Sequence, residues 1–348
     1  MGFETHVDDL PYAHGGPIGT GLLREQNEYF KVNESLTFEP SGDGEHVFLY
    51  IQKTALNTED IVKRLAIHAE LPRRSVSYAG MKDRHGVTKQ WFSVHLPGKE
   101  GPDWYLLEDE SLKIEHVTRH LKKLKRGTIK FNQFNIVVSQ LNADKEQLAD
   151  RSEQIKTFGV PNYFMDQRFG YLCQNIDRVY NLFSKGEAIK NKKMKSLLLS
   201  SARSFLFNKV LAERAADKNW DLAVEGDAFM LNGTRQFFKE DNISNEINKR
   251  LSAHDIHPTG PLFGQGEGAV ASAVYELENN VFKENSIFCD GLIKERVDFS
   301  RRSLRVVPDD FKLDWLASDK LQLSFKLRSG SYATAVVREL LTIKNRFN

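Results

Sequence analysis

Cysteine is almost missing from this sequence. Cys173 and Cys289 are its only thiols, which argues against a disulfide framework, excludes any Cys-x-x-Cys metal site and points to a reducing compartment. Long apolar runs are missing too, since no stretch approaches the roughly 18 residues that a membrane helix requires. Near the N-terminus Glu4, Asp8 and Asp9 stand where a secretory signal would carry cations, and no apolar core follows, so a cytoplasmic protein is expected. Charge of one sign does not dominate either. With a net charge of only +2, contact with a polyanion has to come from local concentration of cations. Nor is there a His-Glu-x-x-His, a Gly-x-Ser-x-Gly, a P-loop or a dinucleotide fingerprint. If the chain is an enzyme, a reaction without metal or cofactor, built around one carboxylate, is what remains.

The chain has 348 residues, 40% hydrophobic and 28% charged, which is ordinary for a soluble protein and long for one core, so two domains are expected. Residues 11–22 read as an irregular Gly- and Pro-containing arm. Strands are expected at 29–34 and 46–52, joined as a hairpin through Gly42-Asp43-Gly44. A helix capped by Asn57 or Thr58 follows, with Ile61, Leu65 and Ala69 on one face. Further strands are expected at 112–117, 131–138 and 226–233, and helices at 145–158 and from 196 to about 216. Residues 256–266, rich in Gly and Pro, read as a rigid loop, with His257 a hydrogen-bonding loop residue. The strictly alternating Leu321-Gln322-Leu323-Ser324-Phe325-Lys326-Leu327 and a helix carrying Ala333, Val336, Val337 and Leu340 resemble the first part of the chain more than its middle. A second domain inserted between two halves of the first would produce this pattern.

The most informative stretch is Tyr78-Ala79-Gly80-Met81-Lys82-Asp83-Arg84-His85-Gly86-Val87-Thr88-Lys89-Gln90. An extended approach, a glycine, a charged loop and a second strand describe a loop that presents polar side chains at a sheet edge. Lys82 and Arg84 flank Asp83 and favour its ionised form, which suits a nucleophile or an electrostatic stabiliser better than a general acid. A solvated Lys-Asp-Arg turn has the same composition. Residues 119–130 carry six cations without an acid: Arg119, Lys122, Lys123, Lys125, Arg126 and Lys130. Either they form a solvated face, or Leu121 and Leu124 pack while the cations meet phosphates. Asn162-Tyr163-Phe164-Met165-Asp166-Gln167-Arg168-Phe169-Gly170 combines rings, amides and an arginine, which suits a flat hydrogen-bonding ligand as well as a plugged core. In Ser201-Ala202-Arg203-Ser204-Phe205-Leu206-Phe207-Asn208, Arg203 is the candidate for an outward or anionic partner.

Gly80-x-Lys82-Asp83-x-x-x-x-Thr88-x-Gln90 resembles the signature of the TruD family of tRNA pseudouridine synthases. So, in the family's order, do Asn162-Tyr163-Phe164 with Gln167-Arg168-Phe169-Gly170, Ser201-Ala202-Arg203 with Leu206-Phe207-Asn208, His257-Pro258-Thr259-Gly260-Pro261, and Gly330-Ser331-Tyr332-Ala333-Thr334 with Arg338-Glu339-Leu340. The resemblance implies isomerisation of a uridine in tRNA, at position 13, to pseudouridine. Asp83 is the implied catalytic aspartate, attacking the ribose, attacking the base or promoting elimination. Phe30 and Phe164 are implied ring contacts to the base, Asn162 and Tyr332 substrate contacts, and Arg24, where lysine is common, a cation facing the aspartate or a phosphate. Lys82 is counted with the substrate-binding residues, and Arg119, Lys122, Lys123, Lys125 and Arg126 with the RNA backbone. The implied fold is α+β: a pseudouridine-synthase catalytic domain with a mainly antiparallel sheet, at 1–185 and 307–348, with an inserted TruD domain at 186–306 and a cleft between them. The implied partner is tRNA, met by a monomer without membrane or nucleotide cofactor. Met165, where glycine is usual, and Leu327-Arg328-Ser329, which lacks an expected proline, depart from the family pattern. A non-catalytic tRNA-binding protein and a glycosidase-like enzyme are the alternatives. The full aspartate loop argues against the first, and the want of a second placed carboxylate against the other.

Overall fold

The computed structural model describes residues 2–240 and 242–345. The chain packs as two units, one made of Ile18–Ser152, Pro308–Gly330 and Leu341–Asn348, the other of Met1–Pro17, Glu153–Val307 and Ser331–Leu340. Of the expected third segment at 307–348, residues 346–348 lie outside the described residues.

A mainly antiparallel ten-stranded sheet forms the first unit. Its main path runs Asp309–Ala317, Lys320–Arg328, Ile129–Asn142, Phe30–Leu36, Val87–His95, His46–Thr54, Leu112–His120. Two pairings are parallel: Phe30–Leu36 with Val87–His95, and Gly19–Leu23 with Leu341–Asn345. Strands from both ends of the chain therefore share one sheet. The alternation at 320–328 buries Leu321, Leu323, Phe325 and Leu327 on one face, as its period of two dictates. On another face Val47, Leu49 and Ile51 pack with Phe92 and Val94 against Ile61, Val62 and Leu65 of helix Thr58–His68. That helix is entered through Asn57, whose main-chain N–H donates to the Asp60 carboxylate at 2.9 Å.

The hairpin expected between 29–34 and 46–52 does not form. Val87–His95 lies between the two strands and pairs with all of His46–Thr54, from His46 opposite His95 to Thr54 opposite Val87. A nine-residue antiparallel ladder outweighs chain proximity, and residues 37–45 are too long a connection to impose a tight turn.

In the second unit, helix Lys192–Ala216 buries Leu198, Ala202, Phe205, Leu206, Phe207 and Leu211 among Tyr163, Phe164, Phe169 and Phe288. A four-stranded sheet runs Phe237–Lys239, Ala228–Leu231, Ile256–Leu262, Ser300–Ser303. The supposed Gly- and Pro-rich loop at 256–266 thus begins as a buried strand. Its two prolines are tolerated because the strand pairs in halves: Ile256–Pro258 on one flank with Ala228–Leu231, and Thr259–Leu262 on the other with Ser300–Ser303. Each half then behaves as an edge, where a missing N–H is least costly.

Candidate active site

The charged loop of the first unit follows strand Val76–Tyr78 and leads into Val87–His95, and these two strands pair antiparallel. Four anchors on buried side chains or main chain fix its path. Gln90 Nε2 donates to Gly80 O at 3.1 Å, Thr58 Oγ1 accepts from Lys82 N at 3.1 Å and donates to Gln90 Oε1 at 2.9 Å, and Ala55 N donates to Gly86 O at 3.3 Å. The fourth is Lys53, whose Nζ donates to Asp83 O at 2.8 Å and to Leu56 O at 2.7 Å. At Gly86 a Cβ would come within 2.5 Å of Phe30 O, so only glycine lets the two parallel strands meet there.

Within this frame the Asp83 carboxylate lies 3.2 Å from Arg24 Nη2, and the two side chains differ sharply in exposure: 37% for the acid, 7% for the arginine. The Arg24 guanidinium stacks over the Phe30 ring at 3.9 Å from its centroid, and its Nε has no hydrogen-bond partner among the described residues. Burial pulls the Arg24 pKa below its ordinary value, and the Asp83 charge opposes that shift. Phe30 itself is 2% exposed and meets Phe134 edge-on. Lys82 turns away from solvent to a buried ion pair with Glu34 at 2.5 Å, and the other Glu34 oxygen accepts from Trp91 N at 3.2 Å. Burial lowers the Lys53 pKa to about 8, against the pull of Asp83 and with the help of Lys82.

The second cluster belongs to the other unit. Asn162 Nδ2 donates to Ser303 O at 3.0 Å, and its Oδ1 accepts from Arg302 at 2.5 Å. The Arg302 guanidinium covers the Phe164 ring at 4.2 Å and the Phe207 ring at 5.4 Å, and burial lowers its pKa to about 10. Asn208, on the long helix, clamps the Phe164 main chain from both sides, accepting from its N at 2.9 Å and donating to its O at 2.8 Å. Tyr332 meets Phe164 edge-on, and its hydroxyl accepts from Arg168 Nε at 3.1 Å. Met165, where a glycine was expected, has φ −113°, an extended conformation open to any residue. Arg203, the candidate for an anionic partner, instead donates to the carbonyls of Leu262, Phe263 and Asp298 and to Ser300 Oγ. His257 accepts from Arg305 Nε at 3.1 Å.

The basic run at 119–130 divides. Arg119 donates to the carbonyls of Gly44, Lys99 and Glu100, whereas Lys122, Lys123, Lys125 and Arg126 are exposed. Leu124 packs as expected, but Leu121 is 63% exposed, because it sits in the bend that ends strand Leu112–His120.

The family description tRNA pseudouridine synthase D (TruD) matches residues 7–188 and 183–340. The chain belongs to the TruD family. It is 42% identical over 334 residues to tRNA pseudouridine synthase D of Methylococcus capsulatus, covering 96% of this chain and 94% of that protein. The protein of the same name from Nitrosococcus oceani is 42% identical, over 95% and 93% of the two chains, and that of Pseudomonas putida strain GB-1 is 41% identical, over 96% and 94%. A TruD crystal structure from Methanosarcina mazei superimposes with a TM-score of 0.70 at 21% identity over 95% of both chains, so the fold is that of TruD.

Lys53, Glu34 and Arg302 escaped the sequence reading. Two of them carried a signal. Lys53 continues the inward series Val47, Leu49, Ile51, and Glu34 continues Phe30, Val32, each a charge at a core-facing position of a strand. Arg302 carried none, since its strand is short and polar throughout.

Proposed function

We propose that this protein converts a uridine of tRNA, at position 13, to pseudouridine, with Asp83 as the catalytic residue. As a member of the TruD family it is a tRNA pseudouridine synthase, an isomerase. In the reaction the bond between N1 and C1′ breaks, the uracil turns, and a bond between C5 and C1′ forms while C5 gives up a proton and N1 gains one. Substrate and product are isomers, so no oxidant, reductant or group donor is consumed.

The observation that carries this reading is the state of Asp83. Its carboxylate is partly exposed on a loop otherwise anchored by buried groups, and a buried arginine holds it at 3.2 Å. A fixed anion of this kind can act at C1′ or on the base, or stabilise positive charge that develops at the sugar. The uridine has to leave its stack to reach such a loop, at a cost of a few kcal/mol. Contacts of Lys122, Lys123, Lys125 and Arg126 with phosphates would offset that cost. The substrate roles implied for Phe30, Arg24 and Lys82, and for Asn162, Phe164 and Tyr332, are part of the same proposal. So are cytoplasmic action on tRNA, a monomeric state, and an inserted family domain at 186–306.

Asp83→Asn tests the reading. It should keep tRNA affinity and lose turnover by at least about a thousandfold, followed as pseudouridine at position 13 by carbodiimide-blocked primer extension. Turnover near that of the unaltered protein would remove Asp83 from the catalytic role.

A further inference from the structure

The aspartate is held at two places. Arg24 reaches its side chain, and Lys53 reaches its main chain, so that two buried cations converge on one residue from opposite ends of its bonding. We infer that Lys53 is a positioning residue of the reaction, whose ammonium fixes the main chain of Asp83 so that the carboxylate keeps one orientation. The inference rests on the catalytic reading of Asp83.

Lys53 is fully buried, at a position where the strand's own pattern calls for an apolar side chain to continue Val47, Leu49 and Ile51. An apolar residue there would extend the core without the penalty of a buried charge. Instead the ammonium ties two separate segments together: Leu56, just before helix Thr58–His68, and Asp83 in the loop. The neighbouring loop groups have other anchors, Thr58 for Lys82 N and Ala55 for Gly86 O, while Lys53 is the anchor at the Asp83 carbonyl. Its strand partners Thr88 and Leu112 are uncharged. The charged groups around it are Asp83 and Lys82 on the loop and Asp60 on the helix, with Arg24 beyond Asp83.

This environment gives the role a signature in pH. Burial lowers the Lys53 pKa from its ordinary 10.5 to about 8 on folding. Between those values the unfolded chain binds the extra proton, so this group's contribution to stability rises with pH. Over the same interval its charge-assisted hydrogen bond to Asp83 weakens. A positioning lysine would therefore lose turnover over an interval in which this group's contribution to stability rises, whereas a merely structural one would show only the rise in stability.

The test uses the full chain with Lys53→Met, a tRNA transcript, and kcat, KM, tRNA Kd and thermal midpoint from pH 6.5 to 9.5, with Asp83→Asn in parallel. We expect kcat per folded molecule to fall about tenfold to a hundredfold with Kd within about threefold, and any alkaline fall in kcat shown by the unaltered protein to be absent from the variant. Lys53→Ala should regain activity with propylammonium and not with propanol. Turnover per folded molecule within about twofold of the unaltered protein overturns the inference. If neither variant folds, Lys53→Gln, which keeps a side-chain donor, is read by the same thresholds of kcat and Kd. An active Asp83→Asn removes the catalytic reading and this inference together. An inactive Asp83→Asn beside a fully active Lys53→Met removes only the inference.

Discussion

The aspartate loop and the Asn162–Phe164 turn use the same materials, an arginine over a phenylalanine ring and a polar side chain beside it, to different ends. On the loop the protein's own contacts leave a carboxylate partly open to solvent. At the turn the amide is engaged at both ends, by Ser303 and Arg302, and the ring is 5% exposed. The loop keeps a reactive group that is ion-paired yet partly exposed, whereas the amide at the turn is engaged by the protein at both ends. A candidate for chemistry is recognised by what remains after the protein has met its own bonding needs.

Phe164→Ala puts that distinction under the largest strain. If the turn is a frame, losing a ring packed by Phe207, Tyr332 and Arg302 should cost about 3–5 kcal/mol in denaturant unfolding of the second unit. Stability within about 1 kcal/mol together with lost turnover would make Phe164 a substrate contact first and core second. Phe30→Ala is the matched experiment on the loop side, where the burial of the ring now predicts a stability loss beside any loss of activity.

Acid should separate the two regions by a few kcal/mol. His6, in the unit of the turn, is buried against Phe169 and Phe205, and burial lowers its pKa to about 3. The unfolded chain protonates His6 below about 6.5 and the folded chain does not, so stability is lost as pH falls from 6.5 toward 3. His6→Leu should flatten that part of an acid-unfolding curve, and an unchanged curve would reassign the loss to other groups.

The smallest effect concerns the exposed cations. Replacing Lys122, Lys123, Lys125 and Arg126 together by alanine should reduce the slope of log affinity for tRNA against log salt by up to about 3, with little change in melting temperature. An unchanged slope would make this run a solvated face.

Much of the architecture was legible because it is written in local periods. The alternation at 320–328, the helix at 145–158 closed by Gly159, and the loop between Tyr78 and Val87 stand where the pattern places them. What escaped was non-local. No feature of residues 29–52 announces that Val87–His95 inserts between their strands, and the prolines of 256–262 hide a strand whose two halves pair on opposite sides. At the candidate site the acid was visible, while Lys53 and Glu34 had only the weaker mark of charge at inward positions, and the hold of Arg302 on Asn162 depends on chain segments far apart in sequence.

The sheet that carries the aspartate loop is also completed by distant chain, since Lys320–Arg328 pairs with Ile129–Asn142 along its length. During synthesis that pairing waits until almost every codon has been read, while nearly all of the second unit has already left the ribosome. A nascent chain stalled before residue 320 would present the long strand Ile129–Asn142 with one flank bare, a template for mispairing with neighbouring chains.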